Sequence, residues 1–136
     1  MKKYDCLFIG NAIVDVVSNV SFEFLKEQNI EVGSWRPTPI KEISQLQNKM
    51  ENSLVASGGS AANSAVGFSL LGGNSSFIGR VKDDEFGRLY INDLQNAGVD
   101  FVSSSVNSGD ETGRCLVYVT PDAVSYTHLT LPTILL

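Results

Sequence analysis

The order of segments along the chain predicts an α/β layered fold. Three observations carry this. Short apolar runs rich in Val, Ile and Phe alternate with segments of helical periodicity. Gly, Asp or Asn residues punctuate the junctions between them. The 136 residues are 43% apolar and 18% charged, a composition that suits one domain with a real core and argues against disorder. The order reads strand, lid-like insertion, strand, helix, strand, helix, strand, which a layered sheet with covering helices accommodates. No internal repeat or low-complexity linker interrupts it.

The first run, Tyr4 to Gly10, ends in Gly and has the continuous apolar character of a strand buried on both faces. Asn11 to Ser18 alternates instead. In an extended strand Asn11, Ile13, Asp15 and Val17 share one face, and Ala12, Val14 and Val16 the other. Ser21 to Asn29 predicts a short helix with Ser21 as N-cap and Phe22 and Leu25 on one face. Ile30 to Pro39 holds Gly33, Trp35, Pro37 and Pro39, which suit a loop or an irregular edge strand. Trp35 is read there as a lid aromatic or as a cover for the core. Ile43, Leu46 and Met50 recur at helical spacing and predict a core-facing stripe.

Leu54 to Ser57 is a brief strand leading into a glycine pair. Ala61 to Leu71 is apolar almost all round, which predicts a buried helix with Gly67 packed closely on a neighbour and Gly72-Gly73 as its end. Ser75 to Val81 is the next strand. Asp83, Asp84 and Glu85 then open a helix with the charge its N-terminal dipole favours, and Phe86, Tyr90, Leu94 and Ala97 form its apolar stripe. Gly98 stops it. Val99 to Val106 and Arg114 to Thr120 are strand-like, with a polar turn over Asn107 to Glu111 between them.

The candidate site is the stretch SGGSAAN, Ser57 to Asn63, at a strand-to-helix junction. Two glycines there allow backbone to approach a ligand closely. Ser60 is expected to cap the helix, and Asn63, one turn in, carries both a donor and an acceptor. Together they describe a wall for a polar, uncharged ligand, or equally a tight turn with its cap. Asp15 is the second feature. A carboxylate on an apolar strand is costly to bury unpaired, so it stands at an exposed strand end or accepts hydrogen bonds from ligand hydroxyls.

The net charge of −5 offers no basic surface for nucleic acid or an anionic membrane, and no apolar run is long enough to span a bilayer. The apolar run after Lys2 and Lys3 is short, so no signal peptide is expected. Cys6 and Cys115, the only cysteines, lie in strand-like contexts and read as buried free thiols, which fits a cytoplasmic protein. The sole histidine, His128, has no Cys or acidic partner arranged around it, and the acidic trio at 83–85 is helix-start chemistry; no metal site is expected.

With these residues in place the chain resembles the N-terminal part of the ribokinase (PfkB) family of carbohydrate and nucleoside kinases. The resemblance rests on IGNAIVDV (residues 9–16), GGSAANSAVGFSLLGG (58–73) and IGRVKDDEFGRLYINDLQNAGVDF (78–101). Within the family the GNAIVD opening, the GGSAAN loop and the long insertion between them are most similar to bacterial adenosine kinases. The resemblance implies a ribokinase-like fold with a small β lid, from segments at about 11–38 and 107–120, that stops short of the nucleotide-binding half. It implies that Asp15 accepts hydrogen bonds from two ribose hydroxyls, that Gly59 and Asn63 bind the same sugar, and that Asn11, Gly58 and Ser60 lie nearby. It further implies an ATP-dependent enzyme, with Mg²⁺, that phosphorylates the 5′-hydroxyl of adenosine to AMP in purine salvage. A ribokinase- or fructokinase-type sugar kinase is the alternative, and a non-catalytic ligand-binding module is another.

In the family the Asp that acts as general base sits in a GAGD-type motif, which this sequence does not contain. No catalytic residue is therefore assigned, and the 136 residues alone are expected to be inactive. From residue 124 the pattern changes. VSYTHLTLPT, residues 124–133, resembles the translation of a transposase-based sequencing adapter, so 124–136 is read as non-native; the alternative is a genuine β-prone strand. On these readings residues 1–123 are the native kinase portion.

Overall fold

The computed structural model describes residues 3–122 and the backbone of 125–129. The chain divides into two compact units. Of the described residues, the first takes 3–14 and 57–113, and the second takes 15–56, 114–122 and 125–129.

In the first unit β1 (Cys6–Ile9), β5 (Ser75–Ile78) and β6 (Val99–Phe101) form a parallel sheet in the order β1-β5-β6. α3 (Ser60–Leu70) packs on β1 and β5, and α4 (Glu85–Asn96) on β6. Side chains that alternate along a strand choose the face. Phe77 points toward the helices and stacks with Tyr90 of α4 at 6.0 Å between centroids, and Phe8 meets Phe68 of α3 at the same separation. The core joins Ala62, Ala65, Phe77, Tyr90, Leu94 and Val99, with Ala12 and Val14 from the start of the next strand. The helices cover one face of this sheet. Leu7 and Ile9 of β1, the edge strand, are therefore 49% and 60% exposed, and the expected burial of both faces does not hold.

α4 begins as its acidic residues predict. Asp84 is the N-cap and accepts from the Gly87 N–H at 2.8 Å, and Arg88 pairs with Asp83 at 2.8 Å. α3 differs from expectation. Only Ala62 and Ala65 are fully buried, Leu70 and Leu71 are exposed, and a Cβ on Gly67 would meet open space. Its residues are apolar but mostly small, and only the stripe facing β1 and β5 is covered. The helix ends as its glycines predict: Gly72, at φ +90, and Gly73 return their N–H groups to Ser69 and Phe68. β6 is shorter than the sequence suggests. After Phe101 the ladder gives way to a serine run in which the Ser103 hydroxyl takes the Gly79 N–H at 3.1 Å, and Val106 makes only an isolated bridge to Lys82.

The second unit is built on a five-stranded sheet, β3-β8-β7-β2-β4, comprising β2 (Ile13–Asn19), β3 (Trp35–Pro37), β4 (Leu54–Gly58), β7 (Gly113–Val119) and β8 (Ser125–Leu129). β8 runs antiparallel to β7 and parallel to β3. β2 keeps its alternation: Val14, Val16 and Ser18 are buried, and Ile13, Asp15 and Val17 are half-buried. α1 (Phe22–Glu27) has the expected cap, with the Ser21 hydroxyl accepting from the Phe24 N–H at 3.1 Å. It buries Leu25 but leaves Phe22, its first residue, exposed. α2 (Ile40–Gln47) buries Ile43 and Leu46. Met50 falls beyond its end and is half-buried. The edge position expected for the Trp35 segment holds, and Trp35 itself, 55% exposed, does not cover a core.

Candidate functional site

The glycine pair joins β4 to α3. Gly59, not Ser60, is the N-cap, at φ +95 and ψ 130, a conformation strained for any residue with a side chain. Ser60 is already helical and exposed, and its carbonyl accepts from the Ser64 hydroxyl at 2.9 Å. The expected Ser60 cap is thus corrected. Gly59 takes the turn and brings no side chain, so the start of α3 carries no side-chain cap. Free N–H groups at a helix start favour electron-rich ligand atoms.

Asn11 follows β1 and reaches the same place. A Cβ on Gly59 would stand 2.7 Å from the Asn11 carbonyl oxygen. The Gly58 carbonyl accepts from the buried Tyr90 hydroxyl at 3.3 Å, which anchors the loop to the core. Gly10 is needed for similar closeness: a Cβ there would lie 2.7 Å from the Ala61 Cβ, and its N–H bonds the Ile78 carbonyl at 3.1 Å. Asn63 sits one turn into α3, its N–H on the Gly59 carbonyl at 2.9 Å and its side chain exposed. The first unit therefore gathers Asn11, Gly58, Gly59, Ser60 and Asn63 around one strand-to-helix turn beyond the carboxyl end of β1. Carboxyl ends of strands are where open α/β sheets bind ligands.

Asp15 is the first residue of the second unit. Burial raises its pKa above the ordinary carboxylate value, and a hydrogen bond from the Cys115 thiol pulls the other way. Neither salt bridge found among the described residues involves it. Its partner is buried; burial, and then the negative charge and hydrogen bond of Asp15, push the Cys115 thiol up to about 12. Both cysteines are free as expected, although Cys6 is only half-buried. The Asp15–Cys115 pair and the Tyr90 anchor were not read from the sequence, because both depend on which strand or helix lies alongside. His128 and the adapter-like segment contribute no side chain to the described residues.

A recess of about 600 Å³ in the second unit is lined by Trp35, Arg36 and Glu42 among others and holds none of the expected site residues. The Arg36–Glu42 ion pair closes on itself there. Among the described residues no three His, Cys, Asp or Glu side chains gather as a metal site, and no helix is long and apolar enough to cross a membrane.

The pattern of the pfkB family carbohydrate kinase matches residues 7–131. The chain belongs to the pfkB family of carbohydrate kinases. Among solved structures, this pfkB chain is similar to an adenosine kinase from Sinorhizobium meliloti, with 35% identity and a TM-score of 0.79, over 94% of this chain and 40% of that one. It is similar to a probable sugar kinase from Rhizobium etli CFN 42 at 32% identity and a TM-score of 0.79, over 95% of this chain and 40% of that one. A probable fructokinase-7 from Arabidopsis thaliana is 55% identical over 51 residues, 34% of this chain and 15% of the relative. The mixed α/β fold is thus the ribokinase-like fold of adenosine kinases, and the chain spans about 40% of the length of the solved kinases it matches.

Proposed function

We propose that this chain is the substrate-binding part of an ATP-dependent kinase that phosphorylates the 5′-hydroxyl of adenosine to AMP, a purine-salvage step in the cytoplasm. The observation that carries the reading is Asp15, a half-buried carboxylate with a raised pKa whose described partner is a thiol. Such a carboxylate is under-solvated and lacks a cation, so hydroxyl donors from a ligand stabilise it; each such bond contributes about 1.5–3 kcal/mol. A ribose diol supplies two. Asn11, Gly58, Gly59, Ser60 and Asn63 would contribute backbone and amide groups to substrate binding.

The similarity to an adenosine kinase over 94% of the chain supports adenosine. Fructose is the second reading, supported by the short, stronger identity to a fructokinase. The test is to extend the chain to the length of its relatives and compare phosphorylation of adenosine, fructose and ribose. Adenosine turned over with the highest kcat/KM supports the first reading; preference for fructose overturns it.

ATP and Mg²⁺ would be bound by the complete kinase, in the portion of the fold this chain does not span. The 136 residues alone would transfer no phosphoryl group. The lid would be formed by segments at about 11–38 and 107–120, and residues 124–136 would be adapter-derived. Against that origin stand the pairing of Ser125–Leu129 as β8 and a family match that reaches residue 131. Sequencing the source locus through the codon for Ala123 decides between them.

A further inference from the structure

We infer that Tyr90 and Asp93 of α4 are positioning residues for the glycine loop: they hold Gly58 and Ser57 at two points and so orient the Gly58–Gly59 peptide for substrate. The inference rests on the reading of this loop as part of the substrate site. The Tyr90 hydroxyl donates to the Gly58 carbonyl at 3.3 Å, and the Ser57 hydroxyl donates to the Asp93 carboxylate at 2.6 Å. Residues three apart on a helix share a face, so one face of α4 meets two successive loop residues. Residues 57–59, 90 and 93 all belong to the first unit.

The two contacts differ in kind. Tyr90 is fully buried, and its ring lies 6.0 Å from that of Phe77 and 6.2 Å, edge-on, from that of Phe101. Packing on two sides fixes where its hydroxyl stands. Asp93 is exposed, but its bond is made to a carboxylate and has the short length of charge-assisted pairs. The loop needs a brace from elsewhere, because Gly58 and Gly59 have no side chains and the start of α3 carries no side-chain cap. A peptide between two glycines has little of its own to resist rotation. This one is trans, so its C=O and N–H point opposite ways. With the carbonyl committed to Tyr90, the Gly59 N–H faces away from that hydroxyl, and α3, which Gly59 caps, starts from a fixed plane. Rotation of the peptide would present a carbonyl oxygen where the ligand meets a donor.

The test uses the chain extended to the length of its relatives, as wild type, Tyr90→Phe, Asp93→Ala and Asp93→Asn. Steady-state kinetics are measured with adenosine, and with fructose, as the phosphoryl acceptor. Tyr90→Phe keeps the ring and loses only the hydroxyl. It and Asp93→Ala are expected to raise the acceptor KM about three- to tenfold, the worth of one hydrogen bond, with the KM for ATP unchanged. Asp93→Asn keeps an acceptor for Ser57 and is expected to restore the wild-type KM; a KM as high as in Asp93→Ala overturns the role of Asp93. A residue that only stabilises the fold would lower the active fraction, and so the apparent kcat, without moving KM. That pattern overturns the inference, as does an unchanged KM in Tyr90→Phe. A second readout needs no substrate. In ¹⁵N-glycine-labelled protein Tyr90→Phe is expected to shift the Gly59 amide resonance, which reports the bond on the carbonyl of its own peptide. If the wild type phosphorylates neither adenosine nor fructose, the substrate reading falls and this resonance decides: a shift keeps the brace, and an unmoved resonance overturns it.

Discussion

A Cβ at position 59 would stand 2.7 Å from the carbonyl oxygen of Asn11. The contact is backbone against backbone, so neither side can swing away. It fixes how the end of β1 and the start of α3 meet, and it makes the glycine a steric requirement of the candidate site as well as a conformational one. Gly59→Ala is expected to cost at least roughly 1–3 kcal/mol for the backbone conformation alone, with the clash in addition. Urea denaturation of the variant checks this; an unchanged midpoint would show that the turn relaxes freely.

Asp84 ties two segments together. It caps α4 through the Gly87 N–H and accepts from both the N–H and the hydroxyl of Thr112, at 2.9 and 2.7 Å. Burial alone would raise its pKa, but the bonds from Thr112 and Gly87 outweigh that and hold it below the ordinary value. A depressed carboxylate contributes stability that is full above its unfolded pKa, about 3.9, and is lost as pH falls through the lower folded value. Asp84→Ala is expected to lose about 1–2 kcal/mol at neutral pH. The difference from wild type shrinks below about pH 4, and thermal melts across that range measure it.

Asp15 has the opposite sign. Its folded pKa is raised, so the ionised carboxylate weakens the folded state at any pH above that value, and protonation on acidification relieves the cost. Asp15→Asn is nearly isosteric and keeps an acceptor for the Cys115 thiol. It is expected to melt at the same temperature as wild type or higher at pH 7, with the gain vanishing at acid pH. A clear drop in melting temperature at pH 7 would show that the charge has a stabilising partner.

Arg114 is buried in the second unit and donates to Gln47 at 2.7 Å and to Ser44 at 3.1 Å, binding β7 to α2. Gln47→Ala removes the acceptor of one buried guanidinium N–H. The expected cost is about 1–3 kcal/mol, read from the denaturation midpoint, whereas a surface substitution such as Lys41→Ala is expected to leave it unmoved.

What the sequence makes legible is local. The alternation around Asp15, the Ser21 cap, the acidic start of α4 and the Gly72-Gly73 helix end each depend on residues within a few positions, and each is found. The glycine loop was legible as a strand-to-helix turn, but its cap was not. Ser is the commoner cap, and nothing local says that Gly59 will adopt φ +95. The exposure of Leu70 and Leu71 and the open space beside Gly67 were hidden for another reason: periodicity tells what a helix could bury, not which layers are there to cover it. The Asp15–Cys115 pair spans two strands 100 residues apart in sequence, and their adjacency is a property of sheet order.

The most direct test of the account is calorimetric titration of adenosine and of fructose into the chain extended to the length of its relatives, as wild type and as Asp15→Ala. The account predicts binding by the wild type and at least about tenfold weaker binding by the variant, since one lost bond to a charged acceptor is already worth that much. Equal affinity in the two proteins would contradict the role of Asp15 and with it the proposed site.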